Sequence, residues 1–203
     1  MELTLNRTIQ LTGLLLLIAA VTQSIYTALY LSEADVPRQL LWGAEGCLFV
    51  VTAAFAGSAL AQVDRQHLAW SAIAAASVLN VVQVGIGLTM FGPFFEAAGD
   101  VEGLTPAARS VVALSFMLYN AAKLLLALAL IVFGLARLGA GEKLLGGASV
   151  LVGIVALASN MASMAAGRDV FGDLPLAGSS GVIATVLLAV CLLTLPDPSV
   201  KSE

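Results

Sequence analysis

The chain has 203 residues, of which 60% are hydrophobic and 11% charged, with a formal net charge of −4, one His and two Cys. Soluble domains average about 45–50% apolar and about 25% charged residues, so this composition excludes a soluble enzyme, a disordered chain and a disulfide-stapled secreted domain. With no basic block it also gives nucleic-acid binding no support, and one His with two Cys removes most metal and haem chemistry.

Six apolar segments of about 20 residues, the length a helix needs to cross a bilayer, follow in chain order: 11–31, 40–62, 69–91, 110–134, 145–166 and 176–195. In lipid only helices and closed barrels satisfy every peptide group, and no short alternating strands are visible. The expected fold is therefore all-α, one polytopic membrane domain over 1–203, a compact bundle of six transmembrane helices. The first segment has only Arg7 before it and no small-x-small cleavage site, so it reads as a span, not a signal peptide. Pro37 and Arg38 precede the second; Asp64, Arg65, Gln66 and His67 separate the second from the third. Phe91-Gly92-Pro93 is expected to end the third and open the longest loop, to about Arg109. Gly139–Lys143 divides the fourth from the fifth, Gly167-Arg168-Asp169 closes the fifth, and Pro196-Asp197-Pro198 stops the sixth.

With both termini cytoplasmic, the inner face carries Arg7, Arg65, Arg137, Lys143 and Lys201, against Arg38, Arg109 and Arg168 outside. That bias favours both termini inside, in a membrane expected to be a bacterial inner membrane. Trp42 and Trp70 then fall at opposite interfaces. The outer loops hold Glu33, Asp35, Glu96, Asp100, Glu102, Asp169 and Asp173, either as solubilising charge or as a weak field that gathers cations.

An ionisable residue inside a span costs about 2.5–3.5 kcal/mol on insertion scales and so needs a partner or a purpose. Glu45 lies about 8 Å below the outer end of the second span, and Lys123 lies near the middle of the fourth. A Glu45–Lys123 pair is expected, bridged by a water or an amide because their depths differ by about 10 Å. Gln23 and Tyr26 share a face of the first span, Ser77, Asn80 and Gln83 follow at three-residue steps, and Ser115, Tyr119 and Lys123 at four-residue steps. Asn120, Asn160 and Ser163 complete the set, mostly in the outer half. The sixth span offers only Ser179, Ser180, Thr185, Cys191 and Thr194 and is expected to face lipid.

Two readings stay open. Amides and hydroxyls glue helices together, at about 0.6 kcal/mol each; or they line a pocket open outward and closed inward. The residues expected to bind a ligand are Gln23, Tyr26, Glu45, Asn80, Gln83, Tyr119, Asn120, Lys123 and Asn160, with no catalytic or metal-binding residue among them. Small residues four apart (Ala53, Gly57, Ala61; Ser71, Ala75) are expected to let helices approach closely. Glu45 and Asn80 stand thirty-five apart, Lys123 and Asn160 thirty-seven apart, and a Phe-Gly follows each unit at 91 and 171. That spacing is compatible with a parallel repeat.

His67 reads as a solvated loop residue, and Cys47 and Cys191 lie at depths that do not suit a disulfide. No phosphate-cradling, metalloprotease or nucleophile-elbow motif occurs, so no cofactor is expected. A retinal Schiff base on Lys123 does not fit the fourth of six spans. In layout, the opening Arg7-Thr-Ile-Gln-Leu-Thr-Gly13-Leu-Leu-Leu-Leu-Ile, the long loop after span three and the Gly-rich turn Gly139–Lys143 resemble a group of uncharacterised bacterial six-span integral membrane proteins. The resemblance covers most of the chain; it implies the six-span fold and carries no activity.

The favoured function is binding or passage of a small polar solute at an outward-facing intramembrane pocket. The alternative is a non-catalytic subunit or assembly factor of a larger membrane complex. An enzyme is the least supported reading. The lipid bilayer is the expected surrounding, with a small polar ligand, a membrane-protein partner or a second copy of the chain as further partners, and no nucleic acid.

Overall fold

Long apolar runs without Pro close every backbone hydrogen bond within themselves, and the computed structural model is helical throughout its ordered elements. It describes residues 3–32, 37, 39–172 and 174–195. The expectations placed on Glu33, Asp35, Arg38, Asp173, Pro196, Asp197, Pro198 and Lys201, and on the side chains of Glu102 and Arg168, lie outside the described residues.

The helices are α1 (Leu5–Leu31), α2 (Gln39–Gln62), α3 (His67–Ile86), α4 (Gly92–Asp100), α5 (Thr105–Gly139), α6 (Lys143–Ala166) and α7 (Leu176–Leu193). A π-helical turn, Gly87–Phe91, joins α3 to α4 without a break. Short 3₁₀ turns, Glu102–Leu104 and Arg168–Phe171, precede α5 and follow α6. Six helices are long and apolar enough to cross a membrane, α3 and α4 counting as one through the π turn. No strand occurs among the described residues.

The chain does not leave its helix at Phe91-Gly92-Pro93. Gly92 keeps right-handed helical angles, and Pro93 stands in the first turn of α4. A missing N–H is tolerated in the first turn of a helix, and a wide π turn stands immediately before α4. The long loop expected here is therefore mostly helix, and only Val101–Leu104 separates α4 from α5.

Around the bundle the packing order is α1, α2, α3, α5, α6 and α7, with α7 closing against both α1 and α5. A Cβ on Gly13 of α1 would stand 3.0 Å from Leu193 and 3.1 Å from Leu192 of α7. The start of α1 thus lies beside the end of α7. This end, with the turns at 63–66 and 140–142, is called the terminal end below; the opposite one is the far end.

The most apolar helix, α7, is not peripheral as expected. Half of its span is buried, and it touches three helices. Lipid is as apolar as leucine, so hydropathy does not push a helix outward; small residues decide instead. Ala177, Ser180, Gly181, Ala184, Ala189 and Cys191 are on the buried face of α7, together with Thr185, Leu188 and Leu192.

The expected stripes of small residues are not the contact faces either. Gly57 has nothing within 4 Å of a built Cβ, and Ala61, Ser71 and Ala75 are exposed. The closest approach is between α5 and α6. There a Cβ on Gly146 would stand 2.8 Å from the Leu138 nitrogen, and one on Gly153 would stand 2.6 Å from Ile131. Trp70 is 1% exposed and meets Phe133 edge-to-face at 5.8 Å, so it belongs to the core and not to an interfacial belt.

Candidate functional site

Gln23 joins the two charges. Three elements and one glycine make this geometry. Gln23 comes from the second half of α1, Glu45 from the second turn of α2 and Lys123 from the middle of α5. The Gln23 amide nitrogen donates to Glu45 Oε1 at 2.5 Å, and its carbonyl oxygen accepts from Lys123 Nζ. Only this amide orientation satisfies both neighbours, since a carboxylate accepts and an ammonium donates. Lys123 also donates to Thr185 Oγ1 on α7 at 3.3 Å, and its Nζ lies 5.3 Å from the centre of the Tyr119 ring. Thr185 in turn donates to the Gly181 carbonyl at 2.8 Å. The stem of Lys123 runs over Gly181, where a Cβ would stand 2.9 Å from Lys123 Cγ.

The relay is closed. Gln23, Glu45 and Lys123 are 4%, 6% and 0% exposed. Its far-end side is roofed by rings. Tyr26 is one turn beyond Gln23 on α1, and Trp42 one turn beyond Glu45 on α2, on the same faces. Their rings are 5.7 Å apart, tilted by 42°. Phe91, at the end of the π turn, meets Trp42 edge-on at 5.8 Å, and Phe95 meets Phe91 at 6.2 Å. Trp42 rests on Gly87, whose added Cβ would stand 3.2 Å from the indole.

The other candidates do not join the relay directly. Asn160 donates to Ala156 O at 2.7 Å and to Ala177 O at 3.2 Å, tying α6 to α7. Asn80 donates only to Ala76 O of its own helix, at 2.9 Å. Both are fully buried, and among the described residues the Oδ1 of each has no hydrogen-bond partner. Counting 1.5 Å per residue from the Lys123–Gly181 and Gln83–Ser115 contacts, Asn160 lies about 6 Å and Asn80 about 8 Å nearer the far end than Lys123. Gln83 donates to Ser115 Oγ at 3.3 Å, still farther out and half-buried. Asn120 is buried on α5 beside Tyr119.

Asn80 and Asn160 match in their hydrogen bond to the i−4 carbonyl, their full burial and their orphan oxygen. Glu45 and Lys123, paired with them by spacing, instead converge on one site.

One polar group escapes the sequence reading. Arg137, taken as a loop cation, is 4% exposed. Its guanidinium donates to Glu142, to Cys191 O at 2.7 Å and to Thr194 Oγ1 at 2.7 Å, fastening the end of α5 to the end of α7. Its signal was its place in the last turn of α5, where a cation meets unpaired carbonyls. Ser159 and Ser180 share a hydrogen bond at 2.7 Å between α6 and α7. A shallow, mostly apolar depression of about 440 Å³ lies at the terminal end, lined by Glu142, Lys143, Leu144, Leu145 and Ala148, away from the relay. Cys47 and Cys191 are both free thiols.

Comparison with family models, with curated proteins and with solved structures finds no match for this chain.

Proposed function

We propose that this integral membrane protein binds or passes a small polar solute at the Gln23–Glu45–Lys123 relay, entering from the far end past Tyr26 and Trp42. One observation carries the reading: two opposite charges are held apart by a single amide in the membrane-spanning part of the bundle. Hydrogen-bonding glue does not require charge, and buried charge is costly unless it has a purpose. The π turn beneath Trp42 supports it, because such turns often accompany functional sites. The closed roof is then the resting state, and movement of Trp42 opens it.

Both termini are assigned to the cytoplasmic side of a bacterial membrane. With Arg137 bonded within the bundle, the bias rests on Arg7, Arg65, Lys143 and Lys201 against Arg38, Arg109 and Arg168. The far end is then external.

The test is thiol access. In a background with Cys47→Ala, the substitutions Tyr26→Cys and Gln23→Cys are treated with a small charged thiol reagent from the far side. Reaction at both positions, slower at the deeper one, is the expected result. A folded protein unreactive at both removes the solute reading.

The second reading, a non-catalytic subunit or assembly factor, is favoured by the Asn160–Ala177 and Ser159–Ser180 bonds, which join α6 to α7. Its partner would be another membrane protein or a second copy of the chain, and co-purification in mild detergent would identify it.

A further inference from the structure

The chemistry of the solute can be narrowed, resting on the solute-binding reading above. We propose that the site takes a small organic cation of the alkylammonium type, held against the Glu45 carboxylate beneath the Tyr26 and Trp42 rings.

The order of groups along the entry direction is the first argument. A molecule arriving from the far end meets Phe91, Trp42 and Tyr26 before it meets Glu45, and meets Lys123 last. Aromatic faces attract cations, most strongly when water is excluded, and a carboxylate one turn below them supplies the counter-charge. An anion would meet that carboxylate before it reached the ammonium. Lys123 is moreover already enclosed by Gln23, Thr185, Gly181 and Tyr119.

The second argument is what Glu45 lacks. Glu45 is 6% exposed, and its carboxylate accepts from a neutral amide. Among the described residues no cationic nitrogen is in direct contact with it, and Lys123 reaches it only through Gln23. A cation can therefore approach the carboxylate without first displacing a salt bridge.

The third is the balance of hydrogen-bonding groups. The orphan atoms near this depth, Asn80 Oδ1 and Asn160 Oδ1, are acceptors. An arriving donor, or the water that accompanies it, suits such a layer; another acceptor does not.

Bound cation and Lys123 repel each other, which gives the proposal an unusual signature. Removing the lysine charge should strengthen binding, whereas a purely structural relay would only be damaged.

The experiment uses the full chain in mild detergent with Trp70→Phe, so that Trp42 is its single indole. Fluorescence is followed while tetramethylammonium chloride, sodium acetate or glycerol is added at constant ionic strength. A saturable change with tetramethylammonium alone is expected. Glu45→Gln should weaken it at least tenfold, and Lys123→Gln should tighten it by about tenfold, the scale of one partly screened like charge. Tyr26→Leu, which leaves the charges untouched, should weaken it severalfold and serves where Glu45→Gln does not fold. Saturation by acetate or glycerol instead would overturn the cation assignment and leave the solute-binding reading standing. Tetramethylammonium binding indifferent to both Glu45→Gln and Tyr26→Leu would overturn the site. No response to any of the three by folded protein would remove both readings.

Discussion

Lys123 lies across Gly181, with its Cβ, Cγ and Cδ at 3.1, 2.9 and 3.0 Å from where a side chain on residue 181 would begin. The glycine is the groove that lets a long cationic side chain pass between α5 and α7 and reach α1. The near part of the stem, not its mobile tip, occupies that space. Gly181→Ala should therefore force the lysine off its rotamer or the helices apart, costing about 1–3 kcal/mol. Thermal melting of the solubilised protein would read this, and an unchanged midpoint would mean that α7 does not pack on Lys123 as described.

Among the described residues Gln23 is the single connection between the two charges, so its loss should be worse than that of either distant amide. Gln23→Leu leaves a buried ammonium and a buried carboxylate without their shared partner, and should cost about 3–5 kcal/mol. Adding Glu45→Gln and Lys123→Met to it should restore much of that loss, since replacing all the charge by neutral groups removes the desolvation penalty. Strictly additive losses in the triple variant would show that the three side chains do not act together.

The two matched asparagines should part company. Asn160 holds α6 to α7, so Asn160→Ala should lower stability by about 1 kcal/mol through loss of its interhelical hydrogen bond to the Ala177 carbonyl. Asn80 makes one bond within its own helix and carries an orphan oxygen. Asn80→Leu should accordingly be neutral or stabilising in melting, and any effect it has should appear in solute binding. Equal destabilisation by both would argue that Asn80 also joins helices.

Arg137 predicts a contrast at the terminal end. Glu142 is 42% exposed, so its ion pair with Arg137 is screened, and Glu142→Gln should cost less than about 1 kcal/mol. Arg137→Met orphans the carbonyl of buried Cys191, while the exposed Thr194 hydroxyl keeps its bond to Val190 O, and should cost about 1.5–3 kcal/mol. Comparable losses for the two would place the worth of the arginine in the ion pair and not in fastening α7.

Topology can be read with single cysteines at exposed, unstrained positions in a Cys47→Ala background. Gly99→Cys, in α4, should label from outside intact cells with an impermeant thiol reagent, while Ala140→Cys, after α5, should label only once the membrane is opened. The reverse pattern would turn the far end inward and, with it, the proposed direction of entry.

Composition and segment length by themselves determined that the chain is all-helical with six membrane-length helices, because in lipid a peptide group can find its partner only within such a helix. The cost of intramembrane charge likewise singled out Glu45 and Lys123, and their unequal depths called for a bridging group. Which group it was, and which helices surrounded it, only the tertiary structure decided. In a soluble protein one face of a helix is polar and betrays its orientation; here both the lipid and the protein interior are apolar, so α7 reads alike on every side. Its central place came from the fit of Ala177, Gly181 and Ala184 against its neighbours, a matter of shape that hydropathy does not carry. The same holds for Arg137, whose position at a helix end suits a loop cation as well as a buried clasp, until Cys191 and Thr194 are brought beside it. Pro93 misled for a related reason: a proline is a strong stop in an ordinary helix, and only the π turn before it shows how the helix continued.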